Sequence, residues 1–476
     1  MKLLPKANSN SFVGNSVLIF LYRFFPTLAN LFVIIYFSHQ LDVSVYGSYQ
    51  NFWVRLYFIS AFAGLGIQAF LLTYTPQVVA SFIRRLKTWH YIMLALWLAL
   101  SGIVFSYLQE STLAWLPFCF LFVYVLAAIM EAVLMVFRNL YTLIVVNGLF
   151  AISFCWFHYL YVQQSFDLNT LFMYLLVLGG AKLLIYLIVF IADIKSQPVA
   201  TTEYDIKSVR SLWVHLGFYD MIQMVFTWVD KFIIGWILST SLSAIYINGS
   251  RDVPFLPILM GAVGSAALMQ LSADKSDEAP VVVMNKSGRV LSAIVFPVFF
   301  FLIFFRYELF EVFFSNKYIE SVPIFLMAIM VLPLRAYNFT VVLQNKHKGN
   351  IINIGAVLDL LLACTLMYPL YILMGLPGVA FSFVISTYLQ AAYYLYHTSK
   401  VLGVSWMQLL PLSNWFFKLI VFASLFIGIH YVLVSIFPTQ IVLIWGMVVA
   451  LCITGISILY EIRATKRKYG STTTTS

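Results

Sequence analysis

LNTLFMYLLVLGGAKLLIYLIVFIAD, residues 168–193, is a stretch typical of a helix that crosses a membrane. It exceeds the roughly 20 apolar residues that span a bilayer, and it lacks the alternation of apolar and polar residues that would predict a strand. A single lysine, Lys182, interrupts it near its middle. Of all 476 residues, 62% are hydrophobic and only 10% are charged, whereas a soluble domain has about 25% charged residues. The composition therefore predicts a membrane protein and excludes a soluble globular one.

Thirteen further segments share this character, and together they predict an all-α fold, a polytopic membrane helical bundle of about 14 transmembrane helices. The fourteen segments are 12–38, 44–75, 89–109, 112–137, 140–163, 168–193, 209–238, 243–271, 288–306, 322–345, 350–374, 376–397, 414–436 and 439–461. They are too long for the strands of a membrane barrel, which need only about 9–11 residues. The connecting segments reach at most about eighteen residues, so the sequence offers no space for a soluble catalytic domain.

The distribution of lysine and arginine predicts the orientation of these helices. If the N-terminus lies inside, and basic residues at the very ends of spans are counted with the adjoining loops, nineteen of the 28 basic residues fall in inner segments, seven in spans and two, Arg306 and Lys317, in outer segments. Such an excess of inner basic residues is typical of cytoplasmic loops. Both termini are thus predicted to face the cytoplasm, and the net charge of +10 reflects topology and attraction to anionic membrane lipid. Nucleic acid is not an expected partner.

Residues 12–55 align without gaps with residues 209–252, a weak internal repeat that predicts the domain organisation. The identical pairs include Leu41 and Leu238, Ser44 and Ser241, Tyr49 and Tyr246, and Asn51 and Asn248. Six helices separate the copies, so the copies share one orientation, as in transporters built from parallel repeats. We therefore predict two pseudo-symmetric six-helix lobes around a central cleft. The predicted parts are an N-lobe (1–195), a cytoplasmic linker (196–208), a C-lobe (209–400) and two further helices with a basic cytoplasmic tail (401–476).

Charged residues inside the predicted spans are the candidate functional residues. Each costs about 3 kcal/mol at the bilayer centre, so these side chains must face a wet cavity or pair with one another. The candidate substrate-binding cations are Arg23, Arg55, Lys182, Arg251 and Arg335. The candidate coupling acids are Glu131, Asp220 and Asp359, and the candidate ion pairs between the lobes involve Asp230, Lys231 and Asp252 with Arg251. Lys418 lies near a helix end and is expected to snorkel to the interface.

The charge balance of the N-lobe favours an anionic substrate. Its spans carry three basic residues against one acid, Glu131, whereas four basic and four acidic residues balance in the remaining spans. Arginine binds phosphate through two parallel hydrogen bonds. The sequence leaves open the alternative that Arg23, Lys182 and Arg335 are neutralised by internal ion pairs. Aromatic residues near the charged positions are candidates for stacking on sugar rings; they are Tyr22, Tyr49, Trp53, Tyr219 and Trp228.

Short motifs in the chain resemble those of polysaccharide flippases. Trp228–Gly235 (WVDKFIIG), with the turn after it and Ala244–Tyr246 (AIY), resembles the motif of their seventh and eighth helices. Leu41–Tyr49 (LDVSVYGSY) resembles the turn after their first helix. Leu343–Asn350 (LQNKHKGN) and Gly375–Ala380 (GLPGVA) are a further match. These flippases are O-antigen and capsule exporters of the multidrug/oligosaccharidyl-lipid/polysaccharide flippase superfamily. The resemblance in topology covers most of the chain.

The resemblance implies a transport function rather than catalysis. Such proteins turn over a polyprenyl-pyrophosphate-linked oligosaccharide, an O-antigen or capsule repeat unit, from the inner to the outer leaflet of the bacterial cytoplasmic (inner) membrane. Alternating access through a cationic central cavity would carry the glycan and pyrophosphate while the prenyl tail stays in lipid. A sodium or proton gradient or the membrane potential is expected to drive transport, since the chain has no GxxxxGK[ST] motif for ATP hydrolysis. No other cofactor is expected, and the four isolated cysteines predict no metal site. We expect a monomer that works beside a polymerase and other glycan-assembly enzymes.

Three other functions stay open. A multidrug or cation antiporter of the same superfamily would need acids in its cavity, and such antiporters commonly have twelve helices. A lipid II flippase combines fourteen helices with cavity arginines, although the motifs fit the polysaccharide branch better. A membrane-embedded polysaccharide polymerase or ligase usually carries a sizeable outer loop, and the longest predicted one here, 306–321, has about sixteen residues.

Overall fold

A computed structural model describes residues 12–109, 113–195, 206–253, 256–272 and 279–470, and every regular element in these ranges is a helix. The predicted all-α fold is therefore confirmed. A helix satisfies its backbone hydrogen bonds internally, which a bilayer without water requires. The predicted linker 196–208 lies outside the described residues except for the backbone of 206–208, and so does the end of the predicted tail, 471–476.

Contacts between helices divide the chain into two compact units, and the first is Met1–Ala244. Its described helices are α1 (Phe12–Gln40), α2 (Val43–Ala63), α3 (Ile67–Leu71), α4 (Pro76–Arg85), α5 (Thr88–Gln109), α6 (Trp115–Val136), α7 (Leu140–Gln164), α8 (Leu168–Ile194), α9 (Ile206–Ile237) and the first half of α10 (Thr240–Gly249). Helix α1 packs on α7, α6 packs on α5 and α8, and α2 packs on α9. A buried cluster joins α1, α6, α7 and α8; it consists of Tyr22, Leu134, Leu140, Leu143, Val146, Tyr186 and Val189.

The second compact unit is Ile245–Ser476. After the end of α10 it contains α11 (Leu256–Ser272), α12 (Pro280–Phe304), α13 (Arg306–Phe314), α14 (Ser321–Ile329), α15 (Val341–Asn345), α16 (Gly349–Met374), α17 (Leu376–Leu402), α18 (Trp406–Leu409), α19 (Leu412–Ile436) and α20 (Thr439–Gly470). Helices α16 and α17 form an extensive pair, and α12 packs against both α19 and α20. The two helices beyond the predicted C-lobe, α19 and α20, are thus part of this unit.

Helix α9 belongs to the first compact unit because it packs on α2 and α3. The internal repeat instead assigned the residues of α9 to the C-lobe. The boundary between the two compact units, after Ala244, therefore differs from the lobe boundary predicted at 196–208. The lobes were defined by a sequence repeat and not by contacts, and their boundaries stay a prediction.

Nine helices in the described ranges are long and apolar enough to cross a membrane; they are α1 from Leu18 onwards, α5, α6, α7, α8, α12, α16, α19 and α20 up to Ala464. All fourteen predicted segments coincide with helices, but 44–75, 243–271 and 322–345 are each interrupted.

Glycine and proline mark two of these interruptions. After α2, Leu65 and Gly66 adopt positive φ angles of 49° and 61°, which ends the helix and starts the short α3. A Cβ on Gly66 would lie 2.1 Å from the Cα of Gly217, so the absence of a side chain also permits α9 to approach. Between α14 and α15, Pro333 lies in the first turn of a 3-10 segment, Leu332–Ala336, where its missing N–H is tolerated.

A buried ion cluster fixes α19 and α20 to α12. The carboxylate of Glu461 in α20 is fully buried and accepts hydrogen bonds from Arg289 Nε and Asn414 Nδ2, each at 2.8 Å. Its Oε1 also lies 3.0 Å from Lys418 Nζ, which donates to the Arg289 carbonyl and to Ser292 Oγ, each at 2.8 Å. The expectation that Lys418 snorkels is therefore wrong, because partners within the unit surround its ammonium group.

Candidate functional site

A cavity of about 600 Å³ lies within the first compact unit, in the size range of ligand pockets. Helices α1, α2, α6, α7, α8 and α9 all contribute lining side chains. Several of these helices carry charged or amide residues in otherwise apolar sequences, and those residues converge on the cavity. Transmembrane helices tolerate such residues where they face a wet space.

Arg23 of α1 lines this cavity and is exposed. Its Nε donates a 2.9 Å hydrogen bond to the Tyr22 hydroxyl, and its guanidinium carbon lies 5.7 Å from the centre of the Tyr22 ring. Among the described residues, Arg23 forms no ion pair with a carboxylate. The side chain therefore presents a cation with only a neutral partner.

Lys182 of α8 also lines the cavity, but a carboxylate neutralises it. Its Nζ lies 3.1 Å from Glu131 Oε2 of α6 and donates a 2.8 Å hydrogen bond to Asn147 Oδ1 of α7. The ammonium group also lies over the rings of Phe150 and Tyr186, at 5.1 and 5.5 Å from their centres. The alternative of an internal ion pair, which the sequence left open, thus holds for Lys182 in this structure.

Asp220 of α9 is the second acid that lines the cavity. Within the described part of the chain it forms no hydrogen bond or ion pair. The described charges that line the cavity are thus Arg23, Lys182, Glu131 and Asp220, two basic and two acidic residues. The surplus of positive charge expected for the N-lobe does not extend to this cavity, because Arg55 does not line it and Asp220, which was counted with the C-lobe, does.

Several aromatic rings line the cavity, and Phe150, Phe154, Trp53 and Tyr57 form a continuous series among them. Successive ring centres lie 5.9 Å apart from Phe150 to Phe154, 6.2 Å from Phe154 to Trp53 and 5.8 Å from Trp53 to Tyr57. Trp228 of α9 extends the series, with its ring 4.7 Å from that of Tyr57. Such flat apolar faces suit the stacking of sugar rings.

The other aromatic candidates have different surroundings. Tyr49 is buried, and its hydroxyl lies 2.8 Å from Nε2 of the fully buried His158. Because His158 Nδ1 lies 2.7 Å from the Phe154 carbonyl, the ring donates there and accepts from Tyr49. Neither Tyr49 nor Tyr219 lines the cavity.

Arg55 of α2 does not line the cavity either. Its guanidinium donates to the carbonyl of Leu108 at the end of α5 and, at 3.2 Å, to the carbonyl of Gly235 in α9. These bonds satisfy helix carbonyls and tie three helices of the first unit together. Arg55 therefore connects helices, and it lies outside the cavity that Arg23 and Lys182 line.

Asp230 and Lys231 of α9 pair with each other, with Lys231 Nζ 3.2 Å from the Asp230 carboxylate. Asp230 is buried, and the Lys231 ammonium also donates to the Thr227 carbonyl at 3.1 Å. In the second unit, Arg251 Nε is buried and has no hydrogen-bond partner among the described residues, whereas Asp252 is exposed.

The remaining two candidates also lie in the second unit. Asp359 of α16 is buried, and its Oδ1 makes no hydrogen bond in the described ranges. Arg335 is exposed on the 3-10 segment between α14 and α15. Neither residue is part of the cavity of the first unit.

Asn147 and Tyr124 line the cavity but were not singled out from the sequence. Asn147 was detectable as an amide in an apolar helix, since buried amides in membranes normally require a partner. The chain has 29 tyrosines, and nothing in the sequence distinguished Tyr124 from the others. In the described residues, no three His, Cys, Asp or Glu side chains are grouped as a metal site would require, and all four cysteines are free.

Residues 41–323 match the model of a family described as "Polysaccharide biosynthesis protein". Among solved structures, the chain is similar to "Lipid II flippase MurJ, inward closed conformation", with 15% identity, coverage of 95% of this chain and 99% of that chain, and a TM-score of 0.64. It is also similar to an inward-facing multidrug resistance MATE family transporter of the MOP superfamily, with 13% identity, coverage of 85% and 96%, and a TM-score of 0.55.

At these identities the similarity to solved structures concerns the fold, and the chain has the helical membrane bundle of these transporters. No curated protein sequence matches the chain. The match of residues 41–323 confirms the resemblance to polysaccharide flippases that the motifs indicated. Because this match extends over more than half of the 476 residues, the chain belongs to the polysaccharide biosynthesis protein family.

Proposed function

We propose that the chain flips a polyprenyl-pyrophosphate-linked oligosaccharide, an O-antigen or capsule repeat unit, from the inner to the outer leaflet of the bacterial cytoplasmic membrane. Alternating access would expose the cavity to each side in turn. In this proposal the pyrophosphate and glycan enter the cavity, and the prenyl chain remains in lipid. The chain acts as a transporter and not as an enzyme.

The observation that carries the proposal is the state of Arg23. Its guanidinium lines the cavity without a carboxylate partner among the described residues, although an uncompensated charge inside a membrane protein is costly. A diphosphate would supply the missing negative charge and accept two parallel hydrogen bonds from the guanidinium. The aromatic series from Phe150 to Trp228 supports the glycan part of the proposal.

We propose that ion coupling uses a cavity acid, and Asp220 is the strongest candidate because it has no partner within the described residues. Glu131 and Asp359 are the alternatives, and the coupling ion is a proton or sodium. Protonation of Asp220 would leave the cavity with more positive than negative charge and so favour an anionic substrate. A return to the charged form would favour release.

The orientation with both termini in the cytoplasm is part of the proposal and is supported by the basic residues of the predicted inner segments. With this orientation the substrate would be made and loaded on the cytoplasmic side. We propose that a monomer performs the transport and passes its product to a polymerase and other glycan-assembly enzymes.

A second candidate function is export of an organic cation. Glu131 and Asp220 both line the cavity, and a cation antiporter needs such acids. Glu131 is already paired with Lys182, however, so only Asp220 would be free for a cationic substrate. A lipid II flippase would use the same cationic elements as the main proposal and differs only in the glycan.

A flipping assay in proteoliposomes tests the proposal. The probes are a fluorescent polyprenyl-pyrophosphate-linked oligosaccharide, lipid II and an organic cation, each supplied with and without a proton or sodium gradient and always without ATP. We expect flipping of the oligosaccharide lipid, and a loss of about 10- to 100-fold in Arg23→Gln, because a charge-assisted bond to phosphate is removed.

The matched control is Arg85→Gln, which removes an exposed arginine of the same unit outside the cavity. It should flip the probe at the wild-type rate. Wild-type flipping by Arg23→Gln would contradict the proposal, and transport of the organic cation or of lipid II in preference to the oligosaccharide lipid would replace it with the corresponding alternative.

A further inference from the structure

The ion pair between Lys182 and Glu131 is only partly sealed from the cavity that both residues line. The side chains retain 16% and 25% of their exposure, in contrast to the fully buried Glu461 of the second unit. An incoming anion can therefore reach Lys182 without dismantling a closed core.

Packing around this pair does not depend on the pair itself. Apolar side chains of the buried cluster, among them Leu134 of α6, Val146 of α7 and Val189 of α8, already join the three helices that carry Glu131, Asn147 and Lys182. Asn147 Oδ1 would stay at 2.8 Å as a neutral acceptor for the ammonium group if Glu131 moved away. The carboxylate can thus leave while the helices stay packed.

Each of the two cavity cations lies near a tyrosine ring of the same buried cluster. Arg23 lies against the ring of Tyr22, Lys182 lies over the ring of Tyr186, and both tyrosines belong to the same buried cluster. A ligand with two linked phosphoryl groups is suited to two cations that share such a cluster. Arg23 can bind one phosphoryl group without losing a carboxylate partner. Lys182 can bind the other phosphoryl group only after it separates from Glu131.

We propose that Glu131 is a built-in counter-ion, which the diphosphate of the substrate displaces from Lys182. This inference rests on the proposed function and concerns how the same site selects its ligand. A singly charged carboxylate competes poorly with Glu131, because it gains no second cation. A diphosphate gains both Arg23 and Lys182, so the pair makes the cavity selective for diphosphates. The return of Glu131 to Lys182 then helps to release the ligand.

Titration of inorganic pyrophosphate into the full-length protein in nanodiscs tests this inference. Removal of the counter-ion in Glu131→Gln should tighten pyrophosphate binding by about five- to thirtyfold, the range between an exposed and a buried ion pair. Lys182→Gln should weaken it, and adding Glu131→Gln to Lys182→Gln should bring no gain. Glu131→Gln should also strengthen binding of inorganic phosphate and so reduce the preference for pyrophosphate.

The sign of the change separates this role from a structural one, since loss of a purely structural pair would weaken binding or leave it unaltered. Asp230→Asn is the matched control, because it also removes an acid that pairs with a lysine in this unit but does not line the cavity. It should bind pyrophosphate as the wild type does. If Glu131→Gln does not fold, Glu131→Asp, whose shorter side chain holds Lys182 less well, should give an intermediate gain.

Three outcomes overturn the inference in distinguishable ways. If Arg23→Gln weakens pyrophosphate binding but neither Glu131 variant tightens it, the counter-ion role is wrong and the proposed function stands. If the wild type does not bind pyrophosphate, or binds it independently of Arg23, the anion site of the proposed function fails and the counter-ion role fails with it. If Asp230→Asn tightens pyrophosphate binding as much as Glu131→Gln does, the tightening reflects only the change in net charge of the protein. This result would also overturn the inference.

Discussion

Replacement of Glu461 by glutamine is expected to destabilise the second compact unit strongly. The carboxylate is 0% exposed and faces two cations, Arg289 and Lys418, whose side chains are 16% and 7% exposed. Glutamine has nearly the same shape but offers one acceptor oxygen in place of two, and its NH₂ group would point a donor at a donor. The change therefore leaves two poorly solvated positive charges without a counter-charge.

The expected loss is about 3–5 kcal/mol, the typical effect of breaking a buried ion pair by removing one partner. A unit of this size loses roughly 2–4 °C in melting temperature per kcal/mol, so the midpoint should fall by about 6–20 °C. The double variant Glu461→Gln with Lys418→Met should recover part of this loss, because it removes one of the two stranded cations.

Thermal unfolding of the purified protein in detergent, followed by loss of the monomeric peak in fluorescence-detected size-exclusion chromatography, measures the shift. Glu308→Gln is the control in the same unit, since Glu308 bonds to a single partner, His430, at 2.8 Å. Its effect should be smaller. A melting temperature of Glu461→Gln within about 2 °C of the wild type would refute the reasoning that this cluster holds α19 and α20 on α12.

Three further substitutions test contacts in the first unit by the same melting assay. Gly47→Ala should lower the free energy of unfolding by about 2 kcal/mol or more, because the new Cβ would lie 2.0 Å from the backbone oxygen at the start of α10. Its control is Gly180→Ala, which should leave the melting temperature unchanged because the space around Gly180 is open. Tyr49→Phe should cost about 1–3 kcal/mol, since it leaves Nε2 of the buried His158 without a donor. Arg55→Gln should lower the melting temperature, because it removes hydrogen bonds to carbonyls near the ends of two helices. Because Arg55 lies outside the cavity, each folded molecule of this variant should flip the substrate at the wild-type rate.

The positions of the helices could be predicted from the sequence because apolar length is a direct physical requirement of a bilayer. The segment 168–193, for example, became a helix at Leu168–Ile194. Interruptions inside longer segments were harder to predict. The break after α2 depends on positive φ angles at Leu65 and Gly66, and the close approach of Gly217 at that point comes from α9, a contact that local sequence does not contain.

The partners of the charged residues could not be predicted, because they depend on how each helix is rotated about its axis. A membrane helix is apolar on the lipid side and on the packed side, so its sequence pattern fixes this rotation poorly. Lys182 and Arg55 appeared equivalent in the sequence, yet the structure gives one a carboxylate partner and the other two backbone carbonyls. Asp220 joined the cavity because α9 packs with the first unit.

The chain therefore contains two kinds of intramembrane charge, and the contrast between them argues for a ligand. Glu461 and Lys418 are surrounded by partners and have the arrangement of charges that stabilise a fold. Arg23 has one neutral partner and Asp220 has none among the described residues, and both line the cavity, a space in which a membrane helix tolerates charge. Because unpaired charges of this kind do not stabilise a fold, they support the proposal that a substrate and a coupling ion bind to them and leave.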